Sequence, residues 1–338
     1  MRFFTIMSIF KSLKPIFYHT QMLVLILTLL GCQTKKEVTV LRVAHGLDEK
    51  HSVHLALVHL GERLQALSKG DLSVVVYPNR QLGNERELLE LTQIGAIDIT
   101  KVSASVLENF APKYLVLSVP YLFNRREHAF RVLDEEVGSE LLNSGKNYWL
   151  QGLGFYDSGS RSFYTKARPV TDPSQLKGLK IRTQKSPSAI ELVNALGASA
   201  TPIPFAELYT ALQAGMVDGA ENNPPSFYLT RHYELCKYYA LDEHTRIPDV
   251  LLISTHAFDR LNDQQKVWLG QAVQESVDLQ RNLWEQAETE ALAAVQAAGV
   301  EIHRPSKAAF QTQLTSMIDA FQRNADMSRL IQEIRNTP

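Results

Sequence analysis

Two residue settings in this 338-residue chain invite chemistry. Arg182 closes Leu179-Lys180-Ile181-Arg182, a strand-forming stretch that follows a turn at Lys177-Gly178, so it stands near a strand end, where α/β sheets present ligand-binding groups. A guanidinium there can hold a carboxylate by two parallel hydrogen bonds, a stronger and more directional contact than lysine offers. The same pattern also fits a surface salt bridge. Further on, Val217-Asp218-Gly219-Ala220-Glu221-Asn222-Asn223 reads as a strand that halts at Pro224-Pro225. Asn222 can both donate to and accept from a carboxylate or hydroxyl, or it can serve as a turn residue. Both settings point to anion recognition without covalent chemistry.

Patterns for catalysis are missing. No Gly-x-x-x-x-Gly-Lys-Ser/Thr loop occurs, and Gly152-Leu153-Gly154-Phe155-Tyr156-Asp157 lacks the third glycine of a dinucleotide-binding turn. Asp157-Ser158-Gly159-Ser160 lacks the flanking glycine of a nucleophile elbow, and there is no His-Glu-x-x-His run. Neither an enzyme nor a cofactor is expected. His51, His54 and His59 come nearest to a metal cluster, but on a helix His59 sits about 80° round from His51 and about 140° from His54. No metal site is expected, and a metal-ion receptor of similar two-lobed build is the alternative reading. Cys236, among Tyr233, Leu235 and Tyr239, reads as a buried small hydrophobe.

The elements that must carry these groups alternate. Val38 to Ala44 is a β-branched strand followed by a helix over 51–68, with Val53, Leu57, Leu60, Leu64 and Leu67 on one face. Strands over 72–77 and 96–100 flank a helix over 84–92, and this spacing implies a parallel sheet covered on both faces. A second set has strands over 148–156, 161–165 and 180–183, then helices over 187–196 and 205–214. The economical reading is α/β, in two lobes. Residues 262–299 contain no proline and read as one long surface helix, with a capping box at Asn262 and Gln265 and Gly299 at its end. Such a helix reaches roughly 55 Å at 1.5 Å per residue and must brace more than one lobe.

Before residue 35 the only charges are Arg2, Lys11 and Lys14, and they precede the apolar run Met22 to Leu30. This is the order of a secretory signal, and the run is too short for a spanning helix. It ends in Leu29-Leu30-Gly31-Cys32, which resembles the bacterial lipobox. Residues 1–31 are therefore expected to be a lipoprotein signal, Cys32 the acylated N-terminus and 32–37 a tether, which would give membrane contact through a lipid anchor. Cleavage as an ordinary signal would instead leave a soluble periplasmic protein. With 35 Lys and Arg against 36 Asp and Glu, the chain has no positive field to hold nucleic acid.

Several separated motifs, in order, carry a resemblance. Gln81-Leu82-Gly83, Leu179-Lys180-Ile181-Arg182, Pro204-Phe205-Ala206-Glu207-Leu208-Tyr209 through Gly215, and Asp218-Gly219-Ala220-Glu221-Asn222 resemble the solute-binding receptors of tripartite ATP-independent periplasmic (TRAP) transporters. The resemblance implies a periplasmic-binding-protein-like fold of two lobes with a long helix bracing both. Its expected boundaries are 38–157 with about 249–287 for lobe I, and 158–248 with about 288–338 for lobe II. It further implies that Arg182 holds a substrate carboxylate, that Asn222 assists, that Phe205 packs on the ligand and that Arg161 adds a second positive contact. The expected partners are a small organic acid and the permease subunits of a TRAP transporter. Glu221 through Ser226, Arg231-His232-Tyr233-Glu234 and Asp242-Glu243-His244 are similar to family members that take hexuronates and related sugar acids. Such ligands need hydroxyl partners. Glu85 is a candidate acceptor, or simply a first-turn glutamate favoured by the helix dipole. His45, Lys101, Asp242 and His244 are further candidates for the cleft lining.

Overall fold

The computed structural model describes residues 38–338; the signal run and Cys32 lie outside the described residues. The strands are β1 (Thr39–Ala44), β2 (Leu72–Tyr77), β3 (Ile99–Ser103), β4 (Leu150–Tyr156), β5 (Arg161–Thr165), β6 (Lys180–Thr183), β7 (Ser199–Pro202), β8 (Gly219–Asn222), β9 (Tyr238–Thr245), β10 (Asp249–Ser254) and β11 (Glu301–His303). They form two sheets, ordered β2-β1-β3-β10-β4 and β11-β9-β5-β8-β6-β7. Each sheet with its helices is a lobe.

The expectation of parallel sheets is corrected, since both sheets are mixed. β1 runs parallel to β2 and β3, but β10 is antiparallel to β3 and β4. In the second sheet β6 is parallel to β7 and β8, whereas β5 is antiparallel to β8 and β9. The cause is the way the chain crosses between lobes. It leaves the first sheet along β4, enters the second along β5, leaves again along β9 and re-enters the first along β10. The strand that brings the chain back must oppose the strand that took it out, and linkers of four residues (157–160) and three (246–248) leave no room for the long crossover that a parallel return requires. The third expected strand is also shifted. It begins at Ile99 rather than Ala96, because Gly95 takes a left-handed φ of 71° and ends the preceding helix in a turn.

The long helix runs Asp263–Ala297, 35 residues, and its capping box is formed as expected, with Asn262 accepting from the Gln265 amide and the Gln265 side chain accepting from the Asn262 amide. It packs on the helix Ser52–Leu67 and on β4 in the first lobe, and on the helix Pro224–Leu229 in the second. Its buried side recurs at Val273, Val277, Gln280 and Trp284, a helical spacing, and Trp284 is wholly buried. The first lobe's core gathers Leu41, Val43, Leu57, Leu60, Leu251, Ile253 and Val273. That of the second gathers Tyr164, Leu208, Val217, Phe227, Tyr239 and Cys236, whose thiol burial pushes up to about 12, an inert state. The last helix, Ala325–Asn336, does not stay with the second sheet. It buries Met327, Leu330, Ile331 and Ile334 and packs against 112–118 and the helix Glu136–Ser144 of the first lobe.

Candidate functional site

Where the lobes face each other, a cleft of about 930 Å³, counting its open mouth, is lined from both sides. The second lobe contributes Arg161, Arg182, Phe205 and Asn222, and the first contributes Glu85, Lys101, Ser103 and Asp249.

Arg182 is the third residue of β6, and alternation along that strand sends Ile181 to the core and Arg182 to the other face. The side chain is only 2% exposed. Its Nε donates to the Ile203 carbonyl at 2.8 Å, and the guanidinium lies 5.7 Å over the Phe205 ring. Nη1 is buried with no hydrogen-bond partner. Burial pulls the pKa down to about 10, against the raising influence of Tyr164 and Glu221. A buried guanidinium with no carboxylate partner of its own is costly, and a bound anion would relieve that cost.

Arg161 is in a different state. Its Nε donates to Glu221 Oε2 at 2.5 Å and its Nη2 to Oε1 at 2.9 Å and to the Glu221 carbonyl at 2.9 Å. The antiparallel register of β5 and β8, Phe163 opposite Glu221, sets this pair. Burial acts to raise the Glu221 carboxyl, but Arg161 and His244 outweigh it and hold it at about 2. Arg161 therefore carries a compensated charge. Its Nη1 also donates to Asn222 Oδ1 at 3.1 Å, and the Asn223 amide donates to the same oxygen at 2.9 Å. With its oxygen doubly engaged, Asn222 has its amide N–H groups left to offer the cleft.

The first lobe's wall is an acid–base triad. Lys101 on β3 and Asp249 on β10 are diagonal neighbours, since Ser103 faces Asp249 and Lys101 faces Leu251. Lys101 Nζ sits 2.8 Å from Asp249 Oδ2 and 3.5 Å from Glu85 Oε1. Glu85 begins the helix Glu85–Gln93, whose start is fixed by a capping box between Asn84 and Glu87, and it accepts from the Ser103 amide at 3.0 Å. Burial raises the Glu85 carboxyl, with Lys101 opposing and Asp249 adding to the rise.

Three of the candidates stand outside the cleft lining. His45 pairs with His54 (Nε2 to Nδ1, 3.0 Å) and accepts from the Leu47 amide; burial holds it neutral, with a pKa of about 3. Asp242 and His244 lie behind Glu221. His244 Nδ1 is 2.7 Å from Asp242 Oδ2, and Asp242 also accepts from the Phe163 amide. Burial works against a charge on His244, but Asp242 and Glu221 outweigh it and lift its pKa to about 9. These residues are corrected from cleft lining to supports: Asp242 and His244 sit on the face of β9 turned into the lobe, and His45, just past the end of β1, is buried against His54.

The cleft also holds groups not singled out from the sequence. Asp249 is one, and an acid heading the apolar run Val250 to Ile253 was its signal. Trp284 is another, its indole N–H buried without a partner; the long helix also carries Trp268, which packs on the first lobe's core instead, so residue type alone did not single Trp284 out. His51, weighed in the sequence only as a metal ligand, also lines the cleft; it caps the helix Ser52–Leu67, accepting from the Val53 amide, and lies 5.8 Å from the Trp284 ring. Gln184 has a buried Oε1 without a partner. Among the described residues no group of three or more His, Cys, Asp or Glu side chains is placed to hold a metal ion, and no helix is long and apolar enough to cross a membrane.

Comparison with known proteins gives a consistent result. The family model of bacterial extracellular solute-binding proteins, family 7, matches residues 43–324. An uncharacterized protein of Salmonella typhimurium strain LT2, YiiZ, is 39% identical over 299 residues, 88% of this chain and 91% of its own. A TRAP periplasmic solute-binding protein of Xanthobacter autotrophicus Py2, solved with β-D-galacturonate, superposes with a TM-score of 0.86 at 36% identity, over 88% of this chain and 100% of that one. One from Anaerococcus prevotii, solved with D-glucuronate, gives 0.86 at 33% identity, over 88% and 98%.

Proposed function

Because the chain belongs to family 7 of the bacterial extracellular solute-binding proteins, we propose that it is a receptor for a hexuronate or closely related sugar acid, which it delivers to a TRAP-type permease. The observation that carries this reading is the Arg182 guanidinium, buried in the cleft with Nη1 unpartnered. Arg182 and the Asn222 amide hold the ligand's carboxylate from the second lobe, and Phe205 packs beside it. Glu85 accepts from ligand hydroxyls across the cleft. The ligand favours the closed arrangement because these contacts come from both lobes at once. Two solved relatives, which hold galacturonate and glucuronate, support the choice of sugar acid. Acylation at Cys32 would tether the receptor to the membrane outside the cytoplasm, and the mass of the mature N-terminus checks it.

The test is a thermal-shift screen followed by calorimetry with D-galacturonate, D-glucuronate, aldonates, C4-dicarboxylates and 2-oxo acids. A ligand at 100 times its Kd that binds only the native state stabilises it by about 2.7 kcal/mol. A raised melting temperature with a hexuronate or a near relative is expected. A response confined to aliphatic acids would overturn the sugar-acid reading.

A further inference from the structure

The charges lining the cleft are distributed unevenly. At the second lobe's end, Arg161 is compensated by Glu221, and Arg182 has no carboxylate partner. At the first lobe's end, one ammonium, Lys101, lies between two carboxylates, Asp249 and Glu85. All three line the cleft, but Lys101 and Asp249 are buried, while the Glu85 side chain is 26% exposed and is the most open of them. With Glu85 ionised, this end carries one excess negative charge; with Glu85 protonated, it carries none. In neither state does it present an unpaired cation.

A ligand spanning the cleft thus finds a positive charge at one end only. The remaining cations stand at the rim. Arg86 is engaged by Glu90 at 3.0 Å, and Arg80 and Lys185 are exposed, where water and salt screen them. Arg182 and Glu85 line the one cleft from opposite lobes. An acid whose carboxylate meets Arg182 and which crosses the cleft presents its far end to the wall that carries Glu85.

We propose that the Lys101–Glu85–Asp249 triad restricts this receptor to acids with a single carboxylate, so that a hexuronate is accepted and the hexarate made by oxidising its far end to a second carboxylate is refused. The inference rests on the sugar-acid reading of the cleft and adds the determinant of charge count. A hydroxyl or hemiacetal at the far end donates to Glu85. A carboxylate there cannot donate, faces an acceptor of its own sign and finds Lys101 already taken. Selectivity of this kind comes from repulsion of the wrong ligand as much as attraction of the right one.

The experiment is calorimetry with D-galacturonate and galactarate, which share a carbon skeleton, on the full mature chain and on Glu85→Gln. The glutamine keeps an oxygen for the Ser103 amide and removes the charge. Galactarate is expected to bind wild type about 100-fold or more weakly than galacturonate, and Glu85→Gln is expected to narrow that ratio at least about tenfold. Wild-type binding of galactarate within tenfold of galacturonate would overturn the inference and leave the sugar-acid receptor standing. A ratio unchanged in a folded Glu85→Gln protein would overturn it as well. Binding of neither acid, with a response to some unrelated class, would remove both readings. The wild-type ratio decides the matter even where the variant fails to fold.

Discussion

Replacing Arg182 by methionine, which keeps the stem and removes the charge, should separate binding from folding. In the unliganded protein the guanidinium is held at a pKa of about 10 instead of 12.5, chiefly by burial. At about 1.4 kcal/mol per tenfold, that is a standing cost of roughly 3 kcal/mol. Methionine removes this cost, but it also forfeits the hydrogen bond to the Ile203 carbonyl, about 1–3 kcal/mol, and the contact with Phe205, about 1 kcal/mol. The terms nearly cancel, so the unliganded variant should match wild type within about 2 kcal/mol, a shift of a few degrees in melting temperature at most. Binding behaves differently. A carboxylate seated in the cleft without its counter-charge loses about 3–5 kcal/mol, roughly 100- to 5,000-fold in Kd. Calorimetry with D-galacturonate and melting curves with and without it measure both quantities. Affinity within tenfold of wild type would refute the reasoning. So would a variant that unfolds yet, where folded, binds normally, because Arg182 would then be structural.

Arg161→Met should give the opposite signature, since it strands the buried Glu221 carboxylate: the unliganded protein should lose about 3–5 kcal/mol by urea titration. Asn222→Asp should weaken a carboxylate ligand more than Asn222→Ala does, by about tenfold or more in calorimetry, because Arg161 already holds one side-chain oxygen and the aspartate would turn the other toward the ligand. Stability should fall as pH rises from 6.5 to 9, at up to about 1.4 kcal/mol per pH unit, because His244, raised to about 9, loses a proton the unfolded chain has already lost; His244→Gln should flatten that limb in urea titrations across pH. On the acid side the sign reverses. His45, His51 and His232, each lowered to about 3 chiefly by burial, stay neutral while the unfolded chain takes up protons, so stability should also fall as pH drops below 6.5.

Much of the fold was legible because its signals are local. The capping residues Asn262 and Gln265 and a proline-free stretch mark the long helix, and short strand-forming stretches of β-branched and aromatic residues mark β2, β5 and β6 to the residue. Sheet direction was not legible. Antiparallel placement of β10 follows from where the chain has travelled between lobes, which no window of sequence contains. The same holds in the cleft. Arg161 and Arg182 are both arginines on short strands, yet one meets Glu221 across a β5–β8 register and the other meets no carboxylate. His45, Asp242 and His244 have the right chemistry for a ligand site, but alternation along β9 turns Asp242 and His244 into the lobe and His45 is taken up by His54. Asp249 went unmarked because it heads an apolar strand, and Trp284 because its helix mixes polar and apolar residues along its length, which hides the face that meets the cleft.

In the proposed receptor the two arginines divide the work of recognition. Were both unpaired, two buried charges would repel each other and cost more than one bound anion could offset; were both paired, neither would have reason to favour an anion. Arg161 spends its charge on Glu221 and uses its remaining N–H to fix Asn222, so the Asn222 amide faces the cleft already oriented. Arg182 keeps its charge and one free edge. Donors held in place before the ligand arrives bind it without a further cost of ordering, and an anion gains most where the donors cannot relax onto something else. Across the cleft the order is reversed, with the cation enclosed and a carboxylate left facing outward. On the proposed reading, a ligand must then match both ends, as an anion at one and a hydrogen-bond donor at the other, and that pairing of demands would distinguish a sugar acid from a simple carboxylate.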